Sequence, residues 1–421
     1  MFTREDTKAV KGVAVTLMLL HHLAGFMERF PVGFEKFSSP HWKGFVDDGY
    51  LGALAMSCKI CVSLFFFLGG YGMYKQYEKG KYSVSRTIVA LYKSYWKVFC
   101  IFIPVALIFF RRDSEDISWL CRRFVFESPR ECLTSIIENF FGFSNTFNGE
   151  WWFFASYLCA IPLGYIFARL LRKSNSFTVD MFWVIVVDIL IRNIFPGLAR
   201  IEAFSGLDNY FYYARFFEIV HYSSTFFAGI VFAKYDKIVK IKLVFENMRF
   251  RWLVGFAGCF LVLYTRWFIE GDTIDIVHSA VFTISASVMF DGFKVFKKVF
   301  AYLGKHSTNI WLTHSFYCYY FYEATKIVYK TKNVWVDLLI LIAMSLVTSI
   351  IIEFFYKLLS KALPIMRKIF FKSPVVVQGT DLAVVSETAE LPQEDTASAE
   401  EIAEGTDLLE SVPVSNENEE K

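Results

Sequence analysis

The sequence has little of what marks soluble catalytic and metal-binding domains. It contains no glycine-rich phosphate loop and no repeat of fixed period. Its eight cysteines are scattered, and the one Cys-x-x-C pair, Cys58 and Cys61, lies in an apolar run without a second pair. We therefore predict no metal site and interpret the cysteines as small apolar residues. No small-residue cleavage site follows the first apolar run, so we expect that run to remain as a membrane anchor.

Charged residues are scarce in long stretches of the chain, which are apolar instead. Of the 421 residues, 55% are hydrophobic, with 48 Phe, 22 Tyr and 10 Trp among them. Apolar runs of about 18–24 residues recur, and each is long enough to cross a hydrocarbon core ~30 Å thick. They predict an all-α polytopic integral membrane protein with about ten transmembrane helices, at 12–30, 50–74, 88–110, 150–170, 177–195, 213–233, 252–269, 274–291, 309–329 and 334–357.

The short loops predict the orientation, because cytoplasmic loops carry an excess of lysine and arginine. Alternate loops hold basic clusters, such as 75–86, 234–251 and 294–305, whereas the loops between them hold few bases. This alternation places both termini in the cytoplasm. The long outer stretch 111–149 is an exception, and its segment 136–147 is too short to span, so we expect it to lie on the membrane or dip into it.

The net charge of +3 conceals a division of the chain into two parts. The tail from Asp381 onward is strongly acidic and contains a single base, Lys421, so the remaining chain is clearly basic. A basic membrane domain suits anionic lipids or phosphorylated substrates, and we expect no nucleic-acid partner. We predict a membrane domain over 1–372 and a disordered, dispensable cytoplasmic tail over 373–421, because the tail is acidic and poor in aromatic residues.

Two adjacent histidines interrupt the first apolar run. At about 100° per residue they point in different directions, so one polar chamber is expected to receive only one of them. His22 shares its helical face with Lys11 and Gly25, which leaves room beside the ring, whereas His21 shares its face with Met18. Ionisable residues inside spans are expensive and mark function by default. We therefore predict that His22 faces a polar chamber and that His21 is a structural histidine.

A second candidate segment is YLGKHSTNIWLTHSF, residues 302–316. Ser307, Trp311 and His314 recur at helical spacing, so one face carries a hydroxyl, an indole and an imidazole. Ser307 or Thr308 is also well placed to cap the helix, which is the structural alternative for Ser307. His314 lies about one and a half turns inside the span, where a cap does not explain it.

Other ionisable residues fall inside predicted spans. Arg215, Glu218 and His221 follow one another at i+3 steps, which favours an internal ion pair. Lys93 and Lys97 are four residues apart on one face of the third span, and Lys59 lies deep in the second. So many buried ionisable groups indicate an internal polar chamber.

Five segments resemble the motifs of the acyltransferase-3 family, and they occur in the family's order over residues 8–357. Three departures stand out: the first-helix arginine is Lys11, the serine of the second-helix turn is Gly69, and the Arg-x-x-Arg pair of the third helix is absent. The five segments are KGVAVTLMLLHHL, VSLFFFLGGYGMY, NGEWWFFASYL, FFAGIVFAKY and LGKHSTNIWLTHSF.

The resemblance implies an integral membrane O-acyltransferase of a bacterial cell membrane. It would move an acyl group, acetyl above all, from cytoplasmic acyl-CoA to a hydroxyl of a cell-surface or lipid-linked glycan. His22 would be the general base or a transient acyl carrier, and Ser307 and His314 would complete the chamber. The CoA contacts would fall to basic residues, and no cofactor would be bound beyond the acyl-CoA donor. The candidate CoA-binding residues are Lys11, Arg86, Lys93 and Lys97.

A proton-coupled transporter or exporter of a glycan or lipid precursor is the alternative, because it also needs ionisable residues at mid-membrane. Its usual marks are inverted repeats and broken helices in both halves, and neither is evident in the sequence. A non-catalytic lipid scaffold is a third possibility, which the polar chamber disfavours.

Overall fold

A computed structural model describes residues 2–26, 29, 50–110, 123–198, 201, 206, 211–269, 272 and 274–370, with the backbone alone for 211–215 and 363–370. The predicted tail therefore lies outside the described residues. Every regular element in these ranges is a helix, as predicted. The α-helices are α1 (Arg4–Ala24), α2 (Tyr50–Ser57), α3 (Ile60–Glu78), α4 (Val84–Phe109), α5 (Pro129–Phe140), α6 (Trp152–Leu170), α7 (Phe177–Ile189), α8 (Phe195–Leu198), α9 (Phe211–Val220), α10 (Ser223–Lys234), α11 (Lys237–Val244), α12 (Arg251–Phe268), α13 (Asp275–Met289), α14 (Lys294–Lys305), α15 (Ser307–Ser315), α16 (Tyr322–Val328) and α17 (Val334–Phe370).

Six helical segments of the described chain are long and apolar enough to cross a membrane. The other four predicted spans are shorter or more polar: α13 has 15 residues, and the ninth span is divided at Phe316 and Phe321 into α15, a π-helix and α16. α1 starts with charged residues and carries two histidines. The count of ten therefore stays a prediction. The six segments are Tyr50–Glu78, Val84–Phe109, Gly149–Lys173, Phe177–Leu198, Phe216–Lys234 and Val334–Ala362.

Reporter fusions can decide between the two counts. We expect fusions at Lys79, Lys242 and Lys298 to report cytoplasm and fusions at Lys43 and Asp272 to report the outside, because basic loops stay on the cytoplasmic side. A compartment-specific enzyme reporter measures this. A cytoplasmic signal at Asp272 would rule out separate spans for α12 and α13.

α1 lies at the centre of the bundle and packs against α14, α3, α2, α15 and α17. Its contact with α14 is a close backbone crossing built on two glycines. A Cβ on Gly12 would lie 1.8 Å from the carbonyl oxygen of Phe300, and one on Gly304 would lie 1.9 Å from that of Lys8. Small residues let helix backbones approach where apolar driving force is weak, as in a membrane. The crossing ties the start of α1 to the segment that leads into α15.

The helix α5 ends against the middle of α4. Tyr92, Tyr95 and Trp96 of α4 donate hydrogen bonds of 3.0, 2.7 and 2.9 Å to the carbonyls of Phe141, Asn139 and Phe140. These donors satisfy carbonyls that the end of α5 leaves without intrahelical partners. The chain that follows forms a 3₁₀ turn, Gly149–Trp151, and then enters α6. The packing of α5 against α4 therefore positions the turn Gly149–Trp151 in the interior of the bundle.

The ion-pair partner of His221 lies in the loop between α12 and α13. His221 Nε2 lies 2.7 Å from Asp272, which also pairs with Arg192 at 3.0 Å. Burial alone would raise the pKa of Asp272, but the hydrogen bond with His221 and the charge of Arg192 outweigh it and hold that pKa below its ordinary value. The side chain of Arg215 lies outside the described residues. The partner of His221 is thus distant in sequence, which i+3 spacing could not indicate.

Candidate active site

A cavity of about 320 Å³ lies between α1 and the helices around it. Its lining runs from Lys11, near the start of α1, to Arg29, beyond its end. Four bases, one acid, both histidines of α1 and hydroxyl groups share it with an aromatic wall. The polar and ionisable lining residues are Lys11, His21, His22, Arg29, Lys59, Arg123, Glu150, Tyr157, Ser307 and Thr308.

His22 lies beside His314, with ring centroids 4.8 Å apart. His22 is half-buried and lines the cavity, whereas His314 is fully buried behind it. His314 Nδ1 lies 2.7 Å from the carbonyl oxygen of Trp311, and because a carbonyl only accepts, Nδ1 is the protonated nitrogen. Its Nε2 is an acceptor without a hydrogen-bond partner in the described part of the chain. The neighbouring ring thus presents a free acceptor close to His22.

Tyr319 fixes the backbone at His22. Its hydroxyl donates to the carbonyl oxygen of His22 and lies 3.5 Å from that residue's Nδ1. Tyr319 belongs to the π-helix Phe316–Tyr320, which continues α15 directly after Ser315. Such π turns are frequent at functional sites, since the wider turn changes the direction of the side chains that follow. This one brings Tyr319 to His22.

Both histidines of α1 line the cavity, so the expectation that it would receive only one is wrong. His21 is 4% exposed, and its Nδ1–H donates a 2.9 Å hydrogen bond to the carbonyl of Ala55. Gly25 lies beside the ring of His21, since a Cβ on Gly25 would be 3.3 Å from His21 Nδ1. Gly25 keeps a helical backbone and its N–H donates a 2.8 Å bond to the carbonyl of His21, and because i+3 and i+4 positions are both neighbours on a helix, its spacing alone could not assign it to His22.

The far end of the cavity is formed by an acidic residue held between two partners. Glu150 is 6% exposed, forms a 2.9 Å ion pair with Arg29 and accepts a 2.6 Å hydrogen bond from the Tyr320 hydroxyl. Beside it, Asn148 and the Ser315 hydroxyl exchange hydrogen bonds of 2.7 and 3.0 Å. Hydrogen bonds and an ion pair therefore hold the 3₁₀ turn that follows α5 against the end of α15 and the segment after α1.

Ser307 lines the cavity at the end where α1 begins. It is the first residue of α15, whose N-cap position is His306 and has no side-chain capping bond. The capping role considered for Ser307 or Thr308 is therefore wrong, because the helix starts one residue earlier than that role requires. Trp311, one turn further on, also lines the cavity and packs edge-on against Phe153 with centroids 5.0 Å apart.

A comparison with known families bears on this arrangement. The family model described as an acyltransferase domain, that of the acyltransferase-3 family, matches residues 6–354. The chain belongs to the acyltransferase-3 family. No curated protein and no solved structure matches it. Membership makes the protein a membrane acyltransferase and disfavours the transporter alternative.

The candidate CoA-binding residues of this acyltransferase lie in two places. Lys11 lines the cavity. Arg86 and Lys93 are exposed on α4, and the Lys97 ammonium lies 5.8 Å from the ring centre of Tyr356 on α17. None of these three belongs to the cavity lining, to which α4 contributes Leu91 instead. The structure therefore groups Lys11 with His22, Ser307 and His314 and leaves the α4 bases apart.

Sequence reasoning missed Arg29 and Glu150 as site residues of the acyltransferase. Glu150 stands in the NGEWW segment quoted for the family resemblance, so an acid directly before two tryptophans was an available signal. Arg29 follows the first predicted span, and a basic residue at the end of a span is common and gives no signal of function. Only their 2.9 Å contact identifies the pair.

Proposed function

We propose that this acyltransferase moves an acetyl group from acyl-CoA to a hydroxyl of a cell-surface or lipid-linked glycan, with both termini in the cytoplasm of a bacterial cell. The observation that carries the proposal is the cavity that holds His22 between two polar ends. One end has Lys11, Ser307 and Thr308, and the other has Arg29, Arg123 and Glu150. A donor entering from one side and an acceptor entering from the other meet at His22.

His22 is the general base of the proposed reaction. An imidazole can accept a hydroxyl proton at neutral pH, which makes the acceptor oxygen a better nucleophile. The hydrogen bond from Tyr319 holds the backbone of His22 in place, and His314 packs beside its ring. Positioning of this kind supports a proton transfer that needs a heavy-atom distance of about 3 Å.

The decisive experiment follows the acyl group. Membrane vesicles from cells with and without the protein are given acetyl-CoA carrying a labelled acetyl group. We expect label in the glycan fraction and free CoA only when the protein is present. Equal acetylation in both vesicle preparations would overturn the proposal, and label confined to lipids that carry no glycan would assign a different acceptor.

The donor site can be located with charge-removing variants. We expect Lys11→Gln to raise the KM for acetyl-CoA about tenfold with little change in kcat, because a lost ground-state contact to phosphate affects binding alone. Arg86→Gln, Lys93→Gln and Lys97→Gln test the sequence prediction in the same assay. A raised KM in those three and not in Lys11→Gln would move the CoA phosphates to the surface of α4.

A further inference from the structure

The apolar segment Tyr50–Glu78, which contains the second predicted span, is broken beside the cavity. α2 ends at Ser57 and α3 begins at Ile60. Lys59 lies in the break and lines the cavity together with Cys61 and Val62 of the first turn of α3. A lysine in the interior of such a segment is costly, and the mechanism described so far gives it no part.

Side chains from two other helices donate to the carbonyls around the break, where the Met56 carbonyl also accepts a 3.1 Å bond from the Lys59 N–H. His21 of α1 donates to Ala55, and the Arg266 guanidinium donates to Met56 and Ser57 at 3.0 and 3.2 Å. Inside a bilayer such carbonyls need internal partners, since no water reaches them. The break is thus a fixed feature of the structure, held from both sides.

Arg266 is itself held rigidly. Asp275 accepts two hydrogen bonds from its guanidinium, at 2.9 and 3.1 Å, and a third of 2.7 Å from Ser63 on α3. Arg266 and Asp275 are 5% and 1% exposed. A bidentate pair of this kind has a defined geometry. The position of Lys59 therefore follows from an ordered network that connects α12, α13 and α3.

The Lys59 ammonium has no ion-pair partner within the described ranges. Glu150 is the one acid among the described lining residues, and Arg29 neutralises it at 2.9 Å. Lys59 lines the same cavity as His21 and His22, and it follows Ala55, the residue that His21 contacts, by four residues. Lys11 lies about seven residues before Met18 and three turns before His22, at the other end of the cavity. The charge of Lys59 thus lies beside the proposed base and away from the end assigned to the CoA phosphates.

We propose that Lys59 is a second catalytic residue, whose ammonium binds the carbonyl oxygen of the acyl group and stabilises the negative charge that develops there. This rests on the proposed function. The acceptor oxygen attacks the thioester carbon and forms a C–O bond, its proton passes to His22, and the carbonyl electron pair moves onto the oxygen facing Lys59. The C–S bond then breaks as the carbonyl re-forms, and the proton on His22 passes to the sulfur, which leaves as free CoA.

Three variants test this in the labelled acetyl-CoA vesicle assay. Lys59→Met removes the charge and keeps the length, Lys59→Arg keeps the charge, and Lys79→Gln removes an exposed cation just after α3. We expect Lys59→Met to lower kcat at least ~10²-fold with the KM for acetyl-CoA unchanged, as for the loss of one oxyanion donor. Lys59→Arg should recover part of kcat, and Lys79→Gln should match wild type.

Thermal unfolding of the purified protein separates catalysis from structure. Because an unpaired lysine in a span is costly, Lys59→Met should have a Tm equal to or above that of wild type. A lower Tm with activity lost in proportion would overturn the proposal and make Lys59 structural. A raised KM with unchanged kcat would also overturn it, since Lys59 would then bind an anion of the donor ground state. If wild-type vesicles do not transfer label, the proposed function is wrong. If wild-type vesicles transfer label and Lys59→Met transfers it equally well, the proposed function stands and the role of Lys59 is wrong.

Discussion

His22→Ala is expected to abolish acyl transfer, by at least the ~10²-fold typical of a lost general base, while the protein still inserts and accumulates. His22 is half-buried on the cavity wall, and the 3.5 Å contact of its Nδ1 with the Tyr319 hydroxyl is longer and weaker than the 2.9 Å bond from His21 to Ala55. Its removal therefore affects chemistry more than folding. The measurement is label transferred from acetyl-CoA per molecule of protein, at matched membrane abundance.

His21→Ala is the matched comparison, because it removes the same ring from the adjacent position. It deletes the hydrogen bond to Ala55, so its loss should appear in protein level or Tm, with less than a tenfold fall in transfer per folded molecule. An active His22→Ala enzyme would end the assignment of the base. Loss of transfer in His21→Ala at normal abundance would instead assign the role of general base to His21.

Gly12→Ala is expected to lower the stability of the protein and, with it, its abundance in membranes several-fold. The added methyl would lie 1.8 Å from the carbonyl oxygen of Phe300, and backbone cannot move aside as a flexible side chain can. Forcing α1 from α14 should cost ~3 kcal/mol or more, the upper range for overpacking. With an unfolding entropy of ~2.1 cal/mol/K per residue, a loss of that size in a chain of 421 residues corresponds to a fall in Tm of roughly 3–4 °C. Thermal unfolding in detergent and abundance in membranes measure it.

Gly72→Ala provides the control on a neighbouring helix. A Cβ at Gly72 meets nothing within 4 Å, so the same substitution there should leave Tm unchanged or raise it, since alanine favours helix by about 1 kcal/mol over glycine. If Gly72→Ala lowers Tm as much as Gly12→Ala does, the loss at Gly12 is not specific to the crossing with α14. A stable Gly12→Ala protein would mean that α1 and α14 are further apart than described.

The sequence by itself determined the class of this protein and much of its site. Long apolar runs require helices in a bilayer, because every backbone group there must be hydrogen-bonded internally. The motifs around His22 and in residues 302–316 identified the family that the comparison confirms. Within one helix, regular geometry fixes which residues share a face, and that was enough to select His22, Ser307 and His314 as candidates.

Only the tertiary structure decided how those faces are turned and which distant residues meet. Periodicity relates the side chains of one helix to each other, but the rotation of a helix depends on its packing against helices far away in sequence. Glu150 therefore meets Arg29 at 2.9 Å, and Arg266 reaches the break beside Lys59, without any local signal for either contact. The same packing turns Arg86 and Lys93 of α4 to the surface, because the rotation of that helix is set by neighbours that the sequence does not name.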